Sequence, residues 1–245
     1  MKTVIITGAS SGIGKETARY FNEKGWNVVI NSSNANLLKQ AYRDLGSPEN
    51  MEYVAGDVSN KKTGIELAAR TLETFGSIDT LINNAGVFAP KPFLEVEETE
   101  LNRFWAVNLL GTFFTSQAVI PQMLKQGHGN IINIGTVLVE HAIDGFPATA
   151  PLTSKGAVHA LTRQMAAEFG RSNIRINTIA PGVIRSPLQG KIGIEDADGL
   201  GALHLLNRVG EVNEIAEAAY YLSTADFITG ETINVAGGHS VGHAI

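Results

Sequence analysis

Short apolar runs alternate with longer amphipathic stretches from one end of the chain to the other. The short runs are rich in β-branched residues and lie at Thr3 to Thr7, Val28 to Ile30, Met51 to Val54, Thr80 to Asn83, Asn130 to Ile134, Ile174 to Ala180 and Thr232 to Val235. They are nearly continuous in apolar character, as strands buried on both faces must be. Between them apolar positions fall at helical spacing. Ile13, Thr17, Ala18 and Phe21 share one helix face, and Gly25 follows where a helix end favours a positive φ. Ser59 is placed to cap a helix reaching about Phe75, and Thr99 to cap one running to about Gln126. Glu211 to Ser223 forms another, with Ile215, Ala218, Ala219 and Leu222 inward. This alternation predicts an α/β protein: a doubly wound parallel sheet of about seven strands with helices on both faces. Segment 186–210 has no clear period, mixes glycine and apolar residues with Glu195, Asp196 and Asp198, and reads as a mobile lid or insertion.

Bulk properties narrow the function. A chain of 245 residues is long enough for one substantial core, and a single domain over 1–245 is expected. The formal charge of −5, with no run of Lys or Arg, argues against nucleic acid or an anionic membrane as the main partner. The absence of cysteine removes a disulfide framework, a thiolate nucleophile and a cysteine-based zinc site, and suits a reducing compartment. Met1-Lys2 leads straight into strand-like Thr3-Val4-Ile5-Ile6, and no apolar run is long enough to span a bilayer, so a cytoplasmic location is expected and no metal is implied.

The chemistry begins at Thr7-Gly8-Ala9-Ser10-Ser11-Gly12-Ile13-Gly14, at the junction of the first strand and first helix. A chain that turns sharply here and approaches a pyrophosphate needs glycine, and the helix start offers amide N–H groups and a positive dipole end. An ordinary tight turn would use the same glycines. The spacing Thr-Gly-x-x-x-Gly-x-Gly, followed by Asn83-Asn84-Ala85-Gly86 after the fourth strand, resembles the short-chain dehydrogenase/reductase family, and the resemblance runs over essentially the whole chain. Asp57-Val58 resembles that family's adenine-contacting pair. Pro181-Gly182, with Ile184 and Ser186 after it, resembles its nicotinamide-side motif, with Ser in place of the usual Thr. Ile228-Thr229-Gly230 and Gly237-Gly238 also fit. The resemblance implies a Rossmann-type fold and a nicotinamide dinucleotide held by Gly8, Ser10, Ser11, Gly12, Ile13, Gly14, Asn84, Ala85 and Gly86 together with those motifs.

Cofactor choice turns on the end of the second strand, where a carboxylate would hold the 2′-hydroxyl of NAD and repel the 2′-phosphate of NADP. Here stand Asn31, Ser32 and Ser33, which favours NADP(H) over NAD(H). The basic residue that many NADP users place in the glycine loop is Ser11 here. Lys15 is near, either reaching the phosphate or simply solvated on the first helix turn.

Family members interconvert alcohols and carbonyls with an Asn, a Ser, a Tyr and a Lys, the last two four apart on one helix. Asn108 matches the Asn, Lys155 the Lys, and Thr136 stands at the Ser position. At the Tyr position stands Pro151, with Thr149 placed to cap just before it, and no tyrosine occurs between Tyr53 and Tyr220. Tyr220 and Tyr221, on a late amphipathic helix, suit a core or an interface. General acid/base assistance contributes about 100- to 10,000-fold, so another group must supply it or turnover suffers. His141 is the first candidate replacement because its ordinary pKa suits proton transfer near neutrality, with Asp144 and Glu140 behind it. A loop position facing solvent explains His141 as well. Lys155 is expected to hold the nicotinamide ribose, or to act as base if desolvated, and Asn108 either takes part in catalysis or satisfies a backbone group.

These residues leave three readings: an NAD(P)-dependent oxidoreductase acting on an alcohol or ketone; a dinucleotide-binding pseudoenzyme serving as sensor or partner subunit; and a non-redox lyase or hydratase using Lys155 and His141. The resemblance also implies a homotetramer or homodimer, assembled through helices at about 99–126 and 150–169, where Ala157, Ala160, Leu161 and Met165 face either a partner or the sheet. A small-molecule substrate would meet segments 87–95, 137–150 and 186–206, with Ile192, Leu200, Leu203, Leu205 and Leu206 as an apolar lid.

Overall fold

The computed structural model describes residues 1–193 and 196–244, so Glu195 lies outside the described residues. Seven parallel strands form one sheet in the order β3-β2-β1-β4-β5-β6-β9. They are β1 (Thr3–Ile6), β2 (Asn27–Ser32), β3 (Met51–Ala55), β4 (Thr80–Asn83), β5 (Gly129–Ile134), β6 (Ile174–Pro181) and β9 (Thr232–Val235). A separate two-residue pair joins β7 (Ile184–Arg185) to β8 (Gly210–Glu211). The helices are α1 (Gly12–Glu23), α2 (Ala35–Asp44), α3 (Lys61–Phe75), α4 (Glu98–Phe104), α5 (Gly111–Gln126), α6 (Thr149–Phe169), α7 (Pro187–Lys191) and α8 (Val212–Thr224).

Alternate strand residues feed two cores. Val4, Ile6, Val28, Ile30, Ile132 and Ile179 pack under α1, α2 and α8, with Phe21, Leu38 and Leu222. Ile5, Val29, Leu81, Ile131 and Ile176 face the other way, against Leu67, Met123 and Met165 of α3, α5 and α6. The chain leaves β1 towards β2 and β3 on one side and resumes at β4 on the other, so a crevice opens beyond the carboxyl ends of β1 and β4.

Asn83, Asn133, Thr115 and Thr162 are linked in a chain of hydrogen bonds across the sheet. Asn83 Nδ2 donates to Asn133 Oδ1 at 2.9 Å, Thr115 donates to Asn83 Oδ1 at 2.6 Å, and Asn133 Nδ2 donates to Thr162 Oγ1 at 2.9 Å. Asn83 therefore ties β4 to β5 and α5, a sheet-stabilising part rather than a ligand contact.

Helix starts differ from the sequence expectation where two capping residues compete. Ser59 is engaged by Asp57, so Asn60 caps α3, accepting from the Lys62 N–H at 3.0 Å. Thr99 lies within α4, whose start is instead closed by Glu97 and Glu100. Thr149 is the first residue of α6 rather than its cap, with Ala148 at the boundary. Between α4 and α5 the helix winds more loosely over Trp105–Leu110 as a π stretch, and this is where Asn108 sits. Segment 186–210 is not structureless among its described residues. Ser186 and Gln189 close the start of α7, a tight 3₁₀ stretch covers Asp198–Leu203, and β7 and β8 clamp its ends. No helix among the described residues is long and apolar enough to cross a membrane.

Candidate functional site

The crevice is a cavity of about 770 Å³ reaching from the glycine loop to the segment around α7. Its glycine end is built by close approach. A Cβ on Gly14 would stand 2.5 Å from Asn84 Nδ2 and from the Gly8 carbonyl oxygen, so only glycine lets α1 dock here. Gly14 thus acts by packing, and it does not line the cavity as the sequence reading expected; Gly8, Ser10, Ser11, Gly12 and Ile13 do. Gly8 has φ +66° and Gly12 φ +54°, left-handed values that open the turn. Asn84 pins the loop after β4 to this turn by donating to the carbonyls of Thr7 and Gly8, and Thr7 Oγ1 accepts from the backbone N–H groups of Asn84 and Ala85. At the start of α1, Ser11 makes no side-chain cap bond, so the first-turn N–H groups stay available to an anion.

The far wall of this half is polar, with hydroxyl and amide groups at the end of β2. Ser32 Oγ donates to Ser10 Oγ at 3.1 Å, Asn31 Nδ2 bonds the carbonyls of Val54 and Gly56, and Ser33 is exposed at the rim. Asp57 and Val58 line the same end, with the Asp57 carboxylate turned onto Ser59. Lys15 points elsewhere: its ammonium lies 2.5 Å from Asp44, so it does not reach the cavity.

The other half holds Ala85, Gly86, Thr136, Lys155, Pro181, Gly182, Ile184 and Ser186. Lys155 Nζ donates to the Ile134 carbonyl at 2.6 Å, and desolvation pushes its ammonium from the ordinary 10.5 down to about 8. Thr136 caps a 3₁₀ turn by accepting from the Leu138 N–H at 3.3 Å, which leaves its hydroxyl proton free for a ligand. Asn108 is not on the cavity wall. Its amide is spent on Val87, accepting at 2.8 Å and donating at 3.0 Å, and on Ser154 Oγ at 2.9 Å. Asn108 positions the loop after β4 against α6, the backbone-satisfying alternative. Pro151 is buried in the first turn of α6.

A family model described as Enoyl-(Acyl carrier protein) reductase matches residues 8–240. The chain belongs to the short-chain dehydrogenase/reductase family. The (2S)-[(R)-hydroxy(phenyl)methyl]succinyl-CoA dehydrogenase subunit BbsD of Thauera aromatica is 32% identical over 98% of this chain and 97% of its own length. The 3-oxoacyl-[acyl-carrier-protein] reductase FabG of Thermotoga maritima is also 32% identical, over 97% of each chain. Among solved structures, ElxO with NADP bound superposes with a TM-score of 0.90 at 30% identity, over 97% of this chain and 98% of the other. A short-chain dehydrogenase/reductase from Mycobacterium marinum gives 0.91 at 29% identity, over 98% and 96%.

As a short-chain dehydrogenase/reductase, the chain departs from expectation in its polar groups near the substrate end. No tyrosine lines the cavity among the described residues. Tyr220 packs on Phe21 and Trp26, and Tyr221 is exposed. His141 does not line the cavity either, because the loop after β5 turns it back towards the C-terminal segment, where its Nε2 lies 3.3 Å from Nε2 of His243. The histidine on the wall is His239, which the sequence reading passed over. Its one sequence signal was its place directly after Gly237-Gly238. Asp144 stands exposed at the rim, and Glu140 is turned to Asn234. Phe88, Phe146 and Leu188 complete the apolar lining with Ile192, Leu200 and Leu203, whereas Leu205 and Leu206 lie outside it. Met165 is buried on the sheet side of α6 and the half-buried Leu161 packs against the same core, while Ala160 is exposed.

Proposed function

We propose that this short-chain dehydrogenase/reductase binds NADP(H) in preference to NAD(H) and interconverts a small or medium alcohol with its ketone. The observation that carries the reading is the continuous cavity, in which a glycine cradle and the unoccupied first-turn N–H groups of α1 lead directly to Thr136 and Lys155. The residues present fit the dinucleotide. Gly8 and Gly12 leave room where a side chain would intrude, the helix start suits a pyrophosphate, and the wall at Ser32 and Ser33 offers hydroxyls with no carboxylate to repel a 2′-phosphate. A bound nicotinamide supplies or accepts the hydride. Lys155 holds the ribose hydroxyls, Thr136 donates its hydroxyl proton to the substrate oxygen, and the apolar wall from Phe88 to Leu203 excludes water from a greasy substrate. NADP is bound in the ElxO structure, which supports the cofactor class. The whole chain is taken as one dinucleotide-binding domain that works in the cytoplasm.

Calorimetric titration with NADPH and NADH, followed by single-turnover absorbance of the reduced nicotinamide with a panel of ketones, tests this. NADPH is expected to bind tighter and to be oxidised. Ser33→Asp places a carboxylate at the rim and is expected to weaken NADPH by about tenfold or more through like-charge repulsion. The wall without a tyrosine favours one second reading, a dinucleotide-binding pseudoenzyme serving as sensor or partner subunit, for which NADPH binds and no ketone oxidises it.

A further inference from the structure

Four of the six histidines of this chain meet at the substrate end of the cavity, drawn from three distant segments. The ring centroid of His239 lies 5.4 Å from that of His141, 5.1 Å from His204 and 5.8 Å from His243. His239 is 1% exposed, lines the cavity, and neither ring nitrogen has a hydrogen-bond partner among the described residues. A buried imidazole with both nitrogens unsatisfied is costly unless something in the cavity uses it.

We infer that His239 is the proton-exchanging residue of this cavity. The inference rests on the oxidoreductase reading above.

The neighbouring hydrogen bonds fix the ring protons. His243 Nδ1 lies 3.0 Å from the Leu203 carbonyl, which can only accept, so Nδ1 carries the proton and Nε2 is bare. With both rings neutral, His141 Nε2 donates to His243 Nε2 across 3.3 Å. His204 Nε2 accepts from the Val183 N–H at 3.1 Å, so its proton is on Nδ1. Other charged groups are held: Arg208 near His204 is paired with Glu214, Glu140 is hydrogen-bonded to Asn234, and Lys155 and Asp144 share the cavity wall. Burial and the three neighbouring rings press His239 down to about 4, so it is a neutral imidazole near pH 7. A neutral ring moves a proton by exchanging tautomers. In ketone reduction the carbonyl carbon gains a hydride with its electron pair, the oxygen takes the proton from one His239 nitrogen, and the ring regains a proton from water that enters the cavity. In alcohol oxidation every transfer reverses. The site thereby supplies the proton that no tyrosine on its wall can.

The test uses the full chain, with and without NADPH. Imidazole-nitrogen NMR of the cofactor-free protein is expected to show His239 neutral from pH 6 to 8; a His239 that titrates as a free imidazole overturns the inference. In single turnover with NADPH and the ketone panel, His239→Gln is expected to lose about 100-fold or more in rate with NADPH affinity unchanged. His239→Ala is expected to regain rate with added imidazole, which a purely structural role would not allow. A wild-type rate in His239→Gln, or no rescue of a folded, NADPH-binding His239→Ala, overturns the His239 inference alone. Tight NADPH binding with no oxidation by the wild type overturns the oxidoreductase reading and the His239 inference with it.

Discussion

Lys155 sits where two requirements oppose each other. A ligand's ribose hydroxyls are best held by an ammonium, yet the cavity wall desolvates it and lowers its proton affinity from 10.5 to about 8. The unfolded chain keeps that proton up to the ordinary value, so between those limits the unfolded state binds more protons and stability rises as pH climbs from about 8 to 10.5. Below pH 8 the folded protein carries the full penalty, at most about 3 kcal/mol. Lys155→Met removes it and loses the bond to the Ile134 carbonyl, worth about 1 kcal/mol. The expected outcome is a variant more stable at pH 7 by about 1–2 kcal/mol, with no rise in stability above pH 8 and weakened NADPH binding. Denaturant melts at pH 7 and pH 10 check it; a wild type whose stability is flat across that window would show that the ammonium is not desolvated. Asn108 shows the opposite arrangement, a buried amide whose oxygen and nitrogen are both hydrogen-bonded within the fold.

At the scale of elements, the junction of β1 and α1 depends on an absent side chain. A methyl group on Gly14 would collide with the Gly8 carbonyl and the Asn84 amide, the two groups that pin the loops on either side of the cavity. Gly14→Ala is expected to push α1 outward, to weaken NADPH at least tenfold and to destabilise the chain by about 1–3 kcal/mol, read by titration and thermal melts. The glycines and the strands were legible in the sequence because both rest on local rules: a residue without Cβ at a tight turn, and apolar runs in strands covered on both faces. Helix starts were less so. Ser59 and Asn60 are both good caps, and only the bond from Ser59 to Asp57 decides between them. α2 went unread, since it is short and mostly polar and buries only Leu38 and Ala41. His239 was hidden for another reason. It stands against His141 and His204, and no local pattern encodes contacts between segments so far apart in the chain.

For the whole molecule, surface and cavity make separate predictions. Trp105, Leu110, Phe113 and Leu124 remain 38–45% exposed along the run from α4 to α5, an apolar surface that suits a self-complementary contact. Light scattering is expected to show a homodimer or homotetramer, and Phe113→Glu to dissociate it. The cavity argument goes further, because its walls come from every layer of the fold: the glycine turn after β1, the ends of β2, β4, β5 and β6, and the segment around α7. A dinucleotide lying across them binds only the folded chain, so it stabilises by mass action, by about 2.7 kcal/mol at a hundredfold excess over its Kd. For a chain of this size each kcal/mol moves Tm by about 2–4 °C, which predicts a rise of about 5–10 °C with NADPH. NADH, which lacks the 2′-phosphate, is expected to raise Tm by less at equal concentration. His239→Gln keeps the cofactor walls and is expected to show the same NADPH shift as wild type, whereas Gly14→Ala loses most of it. A Tm unmoved by either nucleotide would mean that the glycine cradle is an ordinary turn and that this cavity serves another ligand.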